Sequence, residues 1–230
     1  MVVLCLHLKK EEVMESELKY RIKDREMADA LWEDECLLSI GDPSSREKLV
    51  MKAVYFDTED HILSRNNMAF RIRLEGESIF AALKWGGHSS NGFHEREEIN
   101  VPVTGEQYFI EPPTDLFAES EDGKALVRMI GNKPLINMLE TRYLRRRMRV
   151  DLNDSIMELA IDTGSIITDM GEEPILELEI ELFAGEVKTL KDLGRKIAEK
   201  YGLIPEDQSK LGRGLKLLLG SAAEPDPVKA

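Results

Sequence analysis

From Met14 to Ile22 the chain reads MESELKYRI. Met14, Leu18, Tyr20 and Ile22 fall at even positions, and Glu15, Glu17, Lys19 and Arg21 at odd ones. Alternate side chains of a strand share a face, so this segment is a strand with one greasy face and one charged face. The pattern recurs. Met68, Phe70, Ile72 and Leu74 oppose Arg71 and Arg73. Ile79, Ala81, Leu83 and Trp85 oppose Lys84. His94, Arg96 and Glu98 share a face, as do Arg145, Arg147 and Arg149. Met157, Leu159 and Ile161 oppose Glu158 and Asp162, and Leu176, Leu178, Ile180 and Leu182 oppose Glu177, Glu179 and Glu181. The periodicity predicts strands near 14–22, 47–57, 67–75, 78–85, 93–102, 137–150, 155–162, 165–169 and 174–183, and helices near 25–40, 121–131, 186–201 and 210–219. Asp122 and Gly123 are read as preceding the second helix, and Gly202 as closing the third. GGHSSNG, from Gly86 to Gly92, reads as a hairpin loop. Trp32, Leu37, Leu38 and Ile40 read as the buried stripe of a covering helix.

An antiparallel sheet with one wet face produces such alternation routinely. What changes the picture is the composition of the polar faces. They hold almost only Arg, Lys, Glu and Asp, and they sort by strand: acids dominate the first, seventh and last strands, bases the middle ones. Three glutamates on one strand face repel each other, so something positive belongs among them. Mostly antiparallel strands at hairpin distances suit a single closed sheet. A barrel of about eight strands encloses enough space for a small ligand. With the apolar face outward under helices, the charged face lines a wet channel. That channel suits a metal–polyphosphate: carboxylates for a hard divalent cation, guanidinium groups for phosphate oxygens. The expected class is α+β, a closed eight-stranded antiparallel β-barrel with helices packed outside.

The chain has 230 residues, 42% hydrophobic, with a net charge of −13 and a pI near 4.9. That is enough for a substantial core, and it argues against nucleic acid as a partner, which wants positive long-range potential; LRRRMRV lies inside a strand. Cys5 and Cys36 make neither a CxxC nor a zinc spacing, and a reduced, cytoplasmic setting is the default. Val2–Leu8 is too short to span a bilayer, so no membrane partner is expected. His7, His61, His88 and His94 show no paired metal spacing, and His94 is read as a hydrogen-bonded structural residue rather than a channel group. Glycine-rich nucleotide motifs are missing. Residues 1–13 are read as an N-terminal extension, 14–219 as one domain and 220–230 as a flexible tail.

In order, ExExK (Glu15, Glu17, Lys19), YFDT (55–58), MAFRIR (68–73), LKW (83–85), GFHEREEINV (92–101), ELAIDTG (158–164), EPILELEIEL (173–182) and SKLGRG (209–214) resemble the CYTH superfamily, the triphosphate tunnel metalloenzymes, over residues 14–219. GFHEREEINV and SKLGRG are most similar to its bacterial inorganic triphosphatase branch. Many members of that branch carry a following helical CHAD domain; without one, the resemblance implies a stand-alone form or part of a longer chain. It further implies hydrolysis of inorganic triphosphate to phosphate and pyrophosphate with Mg²⁺ or Mn²⁺. By position it implies Glu15, Glu17 and Lys84 as catalytic. Lys19, Arg71, Arg73, Lys84, Arg96, Arg145, Arg147 and Lys210 would hold phosphates, and Glu15, Glu17, Glu177, Glu179 and Glu181 the metal, with the last-strand pair open between 177/179 and 179/181. Glu98, Glu158, Asp162 and Arg213 are further channel candidates. Rival activities are a class IV adenylyl cyclase and a nucleoside or thiamine triphosphatase; a rival of another kind is a non-catalytic polyphosphate-binding module. The oligomeric state stays open.

Overall fold

The computed structural model describes residues 13–220; the N-terminal extension and the tail expected from the sequence otherwise lie outside the described residues, as do His7 and Cys5. In chain order the elements are β1 (Val13–Arg21), α1 (Arg25–Trp32), α2 (Glu35–Ile40), β2 (Glu47–Thr58), α3 (Ile62–Arg65), β3 (Met68–Glu75), β4 (Ser78–Ser90), β5 (Phe93–Val103), α4 (Glu121–Ile130), β6 (Leu135–Leu152), β7 (Ser155–Thr168), β8 (Gly171–Ala184), α5 (Val187–Tyr201), β9 (Ile204–Pro205) and α6 (Lys210–Leu219). Every strand pairs antiparallel. The order β5-β4-β3-β2-β6-β7-β8-β1 closes on itself because β1 also pairs with β5, opposing Glu15 to Arg96 on one side and Lys19 to Glu179 on the other. The result is the expected closed eight-stranded barrel, with β9 a two-residue addition beside β1.

The outward face is apolar and covered in two patches. Leu18, Tyr20, Met148, Val150, Met157, Leu159, Ile161, Leu178 and Ile180 lie under α1, α2 and α5, where Ala28, Leu31, Trp32, Leu37, Leu190, Leu193 and Ile197 meet them. Val54, Phe56, Phe70, Ile72, Ala81, Leu83, Ile99 and Val101 lie under α3 and α4 with Phe117, Leu126 and Ile130. A third apolar cluster has the opposite strand parity. Ala53, Tyr55, Leu139, Ile166 and Ile175 point inward and pack on Leu211 and Leu215 of α6. The last helix is therefore not an outer cover: it stoppers one end of the barrel. The fit is tight enough that a Cβ on Gly214 would stand 2.4 Å from Leu139 and 3.0 Å from Ile166.

Local chemistry accounts for the departures from the expected elements. The single helix expected over 25–40 is two. The Asp34 carboxylate accepts from the Cys36 and Leu37 amides at 2.8 and 3.1 Å and so starts a new helix. Trp32 and Leu37 are buried as predicted; Leu38 and Ile40 are half-buried. The start of α4 is set by Ser120, whose hydroxyl accepts from the Gly123 amide at 2.9 Å, so Asp122 and Gly123 belong to the helix and do not precede it. Gly202 does close α5, at φ 63°. The strands expected at 155–162 and 165–169 are one. GGHSSNG is mostly strand: β4 bulges between Trp85 and His88, and the turn itself is only Asn91–Gly92, with φ of 52° and 76°. Among the described residues no helix is long and apolar enough to cross a membrane.

Asp34 does more than cap. It is buried, and Lys200 and the Tyr201 hydroxyl of α5 also donate to it. Burial works against its charge, but those donors outweigh it and hold its pKa at about 2, below 3.8. The stability it contributes is full above pH ~4 and lost as the pH falls towards 2. Asp34→Ala is expected to lower the unfolding free energy by about 2 kcal/mol in urea titrations at pH 7, Asp34→Asn by less, because the amide oxygen still caps α2.

Candidate active-site channel

Closure turns the charged parity of every strand inward. The channel is lined by Glu15, Glu17 and Lys19 of β1, Tyr55 of β2, Ala69, Arg71 and Arg73 of β3, and Lys84 of β4. Arg96 of β5, Tyr143 and Arg145 of β6, and Glu179 and Glu181 of β8 complete the wall, with Ser209, Lys210 and Leu211 at the stoppered end. About 680 Å³ of atom-free space lies within it, the open mouth included. Its axis has a direction that can be read strand by strand from the inner apolar cluster. Ile175 on β8, Leu139 on β6 and Ala69 on β3 touch or belong to that cluster. Residues Glu177, Glu179 and Glu181, then Tyr143, Arg145 and Arg147, then Arg71, Arg73 and Glu75 therefore run from stopper to mouth.

At the stoppered end the charges are matched. The Lys210 ammonium lies 2.9 Å from Asp162 and 2.8 Å from Glu179, and also pairs with Glu177. Arg145 holds Asp162 with two hydrogen bonds of 2.8 Å and reaches Glu179. Lys19 stands 3.2 Å from both Glu17 and Glu179. Arg213 fixes Glu177 at 2.9 Å, Glu173 at 2.7 Å and the Pro174 carbonyl at 2.6 Å. Burial disfavours the Lys210 charge, but the three carboxylates overrule it and raise its pKa well above 10.5. Glu179 is likewise driven well below 4.5 against its burial, by Lys210, Lys19 and Arg145, and Glu17 is brought to about 2 by Lys19.

Toward the mouth the balance fails. Lys84 serves both Glu15 and Glu98, the latter at 3.3 Å. Glu181 has no ion pair among the described residues; burial and the facing Glu15 push its pKa up to about 8. Glu15 is raised too, by burial and by Glu98 and Glu17, despite Lys84. Among these acids, the buried Nε–H groups of Arg71, Arg73 and Arg96 have no hydrogen-bond acceptor. The mouth side thus holds one carboxylate, Glu181, with no ion pair among the described residues, another, Glu15, sharing Lys84 with Glu98, and guanidinium groups with donors to spare.

All the substrate-holding candidates except Arg147 line this space. Arg147 sits at the rim among Glu47 and Glu75, both at 2.6 Å, and Glu158 at 3.3 Å. Glu177 lies behind the lining, fully buried against Lys210 and Arg213. His94 is a satisfied structural residue, as expected. Arg96 donates to its Nδ1 at 2.9 Å, so Nε2 carries the hydrogen and donates to the Glu206 carbonyl at 2.8 Å. Burial, with Lys19 nearby, lowers its pKa to about 4. Tyr55, Tyr143 and Leu211 were not visible as lining residues in the sequence. β2 is buried on both faces near Tyr55, which erases the alternation that marks an inward position. The Tyr55 hydroxyl accepts from Arg71 at 3.1 Å.

Lys210→Met leaves three carboxylates short of a cation. The expected loss lies near the low end of about 3–5 kcal/mol, because Lys19, Arg145 and Arg213 remain. Denaturant titrations at pH 7 measure the loss.

Comparison with known proteins agrees with this architecture. The CYTH domain family model matches residues 14–215. The inorganic triphosphatase of Haemophilus influenzae is 31% identical over 175 residues, covering 76% of this chain and 47% of that one; the chain spans about half the length of this curated relative. A solved Hippeastrum protein, assigned as an adenylyl cyclase and described by a dominant triphosphatase activity, superposes with a TM-score of 0.64 at 20% identity, covering 92% of this chain and 98% of that one. A Bacillus halodurans protein assigned as an adenylate cyclase gives 0.58 at 17% identity, covering 88% and 97%. At such identities the structures speak to the fold alone. Closed barrel, inward charges and matched family model agree, and the chain belongs to the CYTH domain family.

Proposed function

We propose that this chain hydrolyses inorganic triphosphate to phosphate and pyrophosphate with Mg²⁺ or Mn²⁺. The observation that carries the reading is the juxtaposition in one channel of Glu181, which has no ion pair among the described residues, and Glu15, which shares Lys84 with Glu98, with the acceptor-less Nε–H groups of Arg71, Arg73 and Arg96. A polyanion satisfies the second set and a divalent cation the first. The activity printed for the Haemophilus influenzae relative supports the same chemistry.

The residues fit a hard cation. Asp162, Glu177 and Glu179 lie close enough together to share an ion, yet the Lys210 ammonium already stands among them. The oxygen donors least committed to the protein's own cations are Glu181 and Glu15, next to Glu17, and these would hold the metal, with Glu179 behind them. When bound, such an ion withdraws charge from phosphate oxygens and makes a bound water more acidic. The protein's own part is positioning and charge neutralisation, which phosphoryl transfer chiefly requires. Arg71, Arg73 and Arg96 direct N–H groups at the non-bridging oxygens. Lys84, already against Glu15, supplies an ammonium between that carboxylate and the substrate. Glu17, kept ionised by Lys19, accepts a hydrogen bond from the attacking water and orients it. The dry stopper limits water to the mouth side.

The deciding measurement is phosphate release from tripolyphosphate, ATP and thiamine triphosphate with Mg²⁺, with Mn²⁺ and after chelation, with cyclic AMP followed in parallel. Tripolyphosphate is expected to be preferred, and chelation to abolish release; tight binding without release would favour the binding module. Glu17→Ala is expected to lower kcat by about 10²–10⁴-fold with an unchanged far-ultraviolet spectrum; near-normal turnover at saturating Mg²⁺ would remove the role given to Glu17. Arg71→Ala is expected to raise KM for tripolyphosphate by at least about tenfold, and unchanged kinetics would take Arg71 out of the site.

A further inference from the structure

Arg96 differs from the other bases that line the channel. Lys19, Arg71, Arg73, Lys84, Arg145 and Lys210 are each ion-paired. Arg96 forms no ion pair among the described residues; its guanidinium is held instead by the neutral ring of His94, to which Nη2 donates at 2.9 Å. We infer that His94 is a positioning residue, which holds the Arg96 guanidinium in place for a phosphate without neutralising it. The inference rests on the triphosphatase reading and adds to it a residue that never touches the substrate.

His94 is fully buried and stands behind the lining, two positions before Arg96 and on the same face of β5. Its hydrogen-bond roles are fixed by its partners. A guanidinium only donates, so Nδ1 accepts; a carbonyl only accepts, so Nε2 donates to Glu206. With both nitrogens engaged the ring cannot turn. The anchor is itself fixed. Glu206 is buried, its amide donates to the Lys19 carbonyl at 3.0 Å, and its carboxylate accepts from the Gln208 amide at 2.8 Å and from the Arg21 side chain. The next residue, Asp207, accepts from the Gly92 amide at 2.6 Å, in the turn that starts β5. The segment leading into α6 thus sets the ring, and the ring sets Arg96.

The neighbours of Arg96 explain why a neutral acceptor is needed. On β1, Glu15 lies directly across from Arg96 and Glu17 directly across from His94. A guanidinium free to turn would form a bidentate pair with one of them, as guanidinium and carboxylate groups do, and its charge would be spent within the protein. The imidazole nitrogen takes one of five N–H donors and adds no negative charge. The buried Nε–H stays without an acceptor, open to a phosphate oxygen. A carboxylate at position 94 would fix the guanidinium as firmly and cancel the charge that the phosphate requires. An imidazolium would have no lone pair for it at all.

The test exploits the two ends of the ring. In His94→Asn an amide oxygen can stand near the place of Nδ1 and keep the Arg96 contact; in His94→Gln an amide nitrogen can stand near the place of Nε2 and keep only the Glu206 contact. Tripolyphosphate hydrolysis is measured for both variants, alone and combined with Arg96→Ala, under conditions where urea titration shows each to be folded. His94→Gln is expected to raise KM about tenfold with kcat changed by less than about threefold, and His94→Asn to raise KM by no more than about twofold. With Arg96→Ala already present, His94→Gln is expected to add less than about twofold, because the two act through one contact. An unchanged KM in His94→Gln, a larger KM in His94→Asn than in His94→Gln, or an equal effect of His94→Gln with and without Arg96 would each overturn the inference. Should the His94 variants fail to fold, the wild-type ring carries the test. Tripolyphosphate added without metal is expected to move the nitrogen NMR resonance of His94 Nδ1 more than that of Nε2, and an unmoved Nδ1 would overturn the inference. A wild-type protein that neither binds nor hydrolyses tripolyphosphate would instead bring down the functional reading beneath it.

Discussion

The ammonium of Lys210 is the contact on which the rest of the molecule depends. It sits at the first position of α6, delivered there by a helix start that Ser209 caps through the Gly212 amide at 3.0 Å. It joins carboxylates from β7 and β8 that would otherwise repel across adjacent strands. The same helix then buries Leu211 and Leu215 inside the barrel end. Ionic and apolar contacts cooperate here. The stopper keeps water from the charge cluster, which strengthens its interactions, and the cluster fixes where the stopper sits.

Charge matching at the closed end explains the mismatch at the other. Lys19, Arg145, Lys210 and Arg213 are committed to Glu177, Glu179 and Asp162. Glu15 shares Lys84 with Glu98, which Arg71 also reaches at 3.5 Å, and Glu181 has no ion pair among the described residues. Leaving buried charge uncompensated is costly in a folded protein, and such costs gather at functional sites. The mismatch divides into two parts that complement different ligands, acids on β1 and β8 and guanidinium groups on β3 and β5. That division suits a site for a metal and a phosphate chain together better than a site for either alone.

Several elements were legible because a local signal was unopposed. The even–odd alternation of β1, β3, β6 and β8 gave their inner faces correctly, since the apolar face must be buried under the helices and the charged face is thereby turned into the channel. Gly202 ended α5 because only a left-handed residue continues the chain there. Other features were hidden for identifiable reasons. Asp34 in mid-pattern reads as one more polar position on a helix facing water, and its burial under Lys200 and Tyr201 depends on contacts remote in sequence. His88, Ser89 and Ser90 lack β propensity, yet the pairing of His88 and Ser89 with Glu95 and His94 draws them into β4.

The sequence by itself determined which side chains face inward, and with that the barrel, its charged interior and the family. Strand parity is a local property of period two, and no tertiary contact can reverse it without exposing the core. Only the tertiary structure decided what each charge does. Glu177, Glu179 and Glu181 are equivalent along the chain; they become a buried anchor, a matched lining group and an unmatched carboxylate according to their distance from α6. KLGRGLKLLL has the same amphipathic stripe whether it covers a barrel or enters one. The closed end, and the direction it gives the channel, arose from where that helix found apolar surface of its own size.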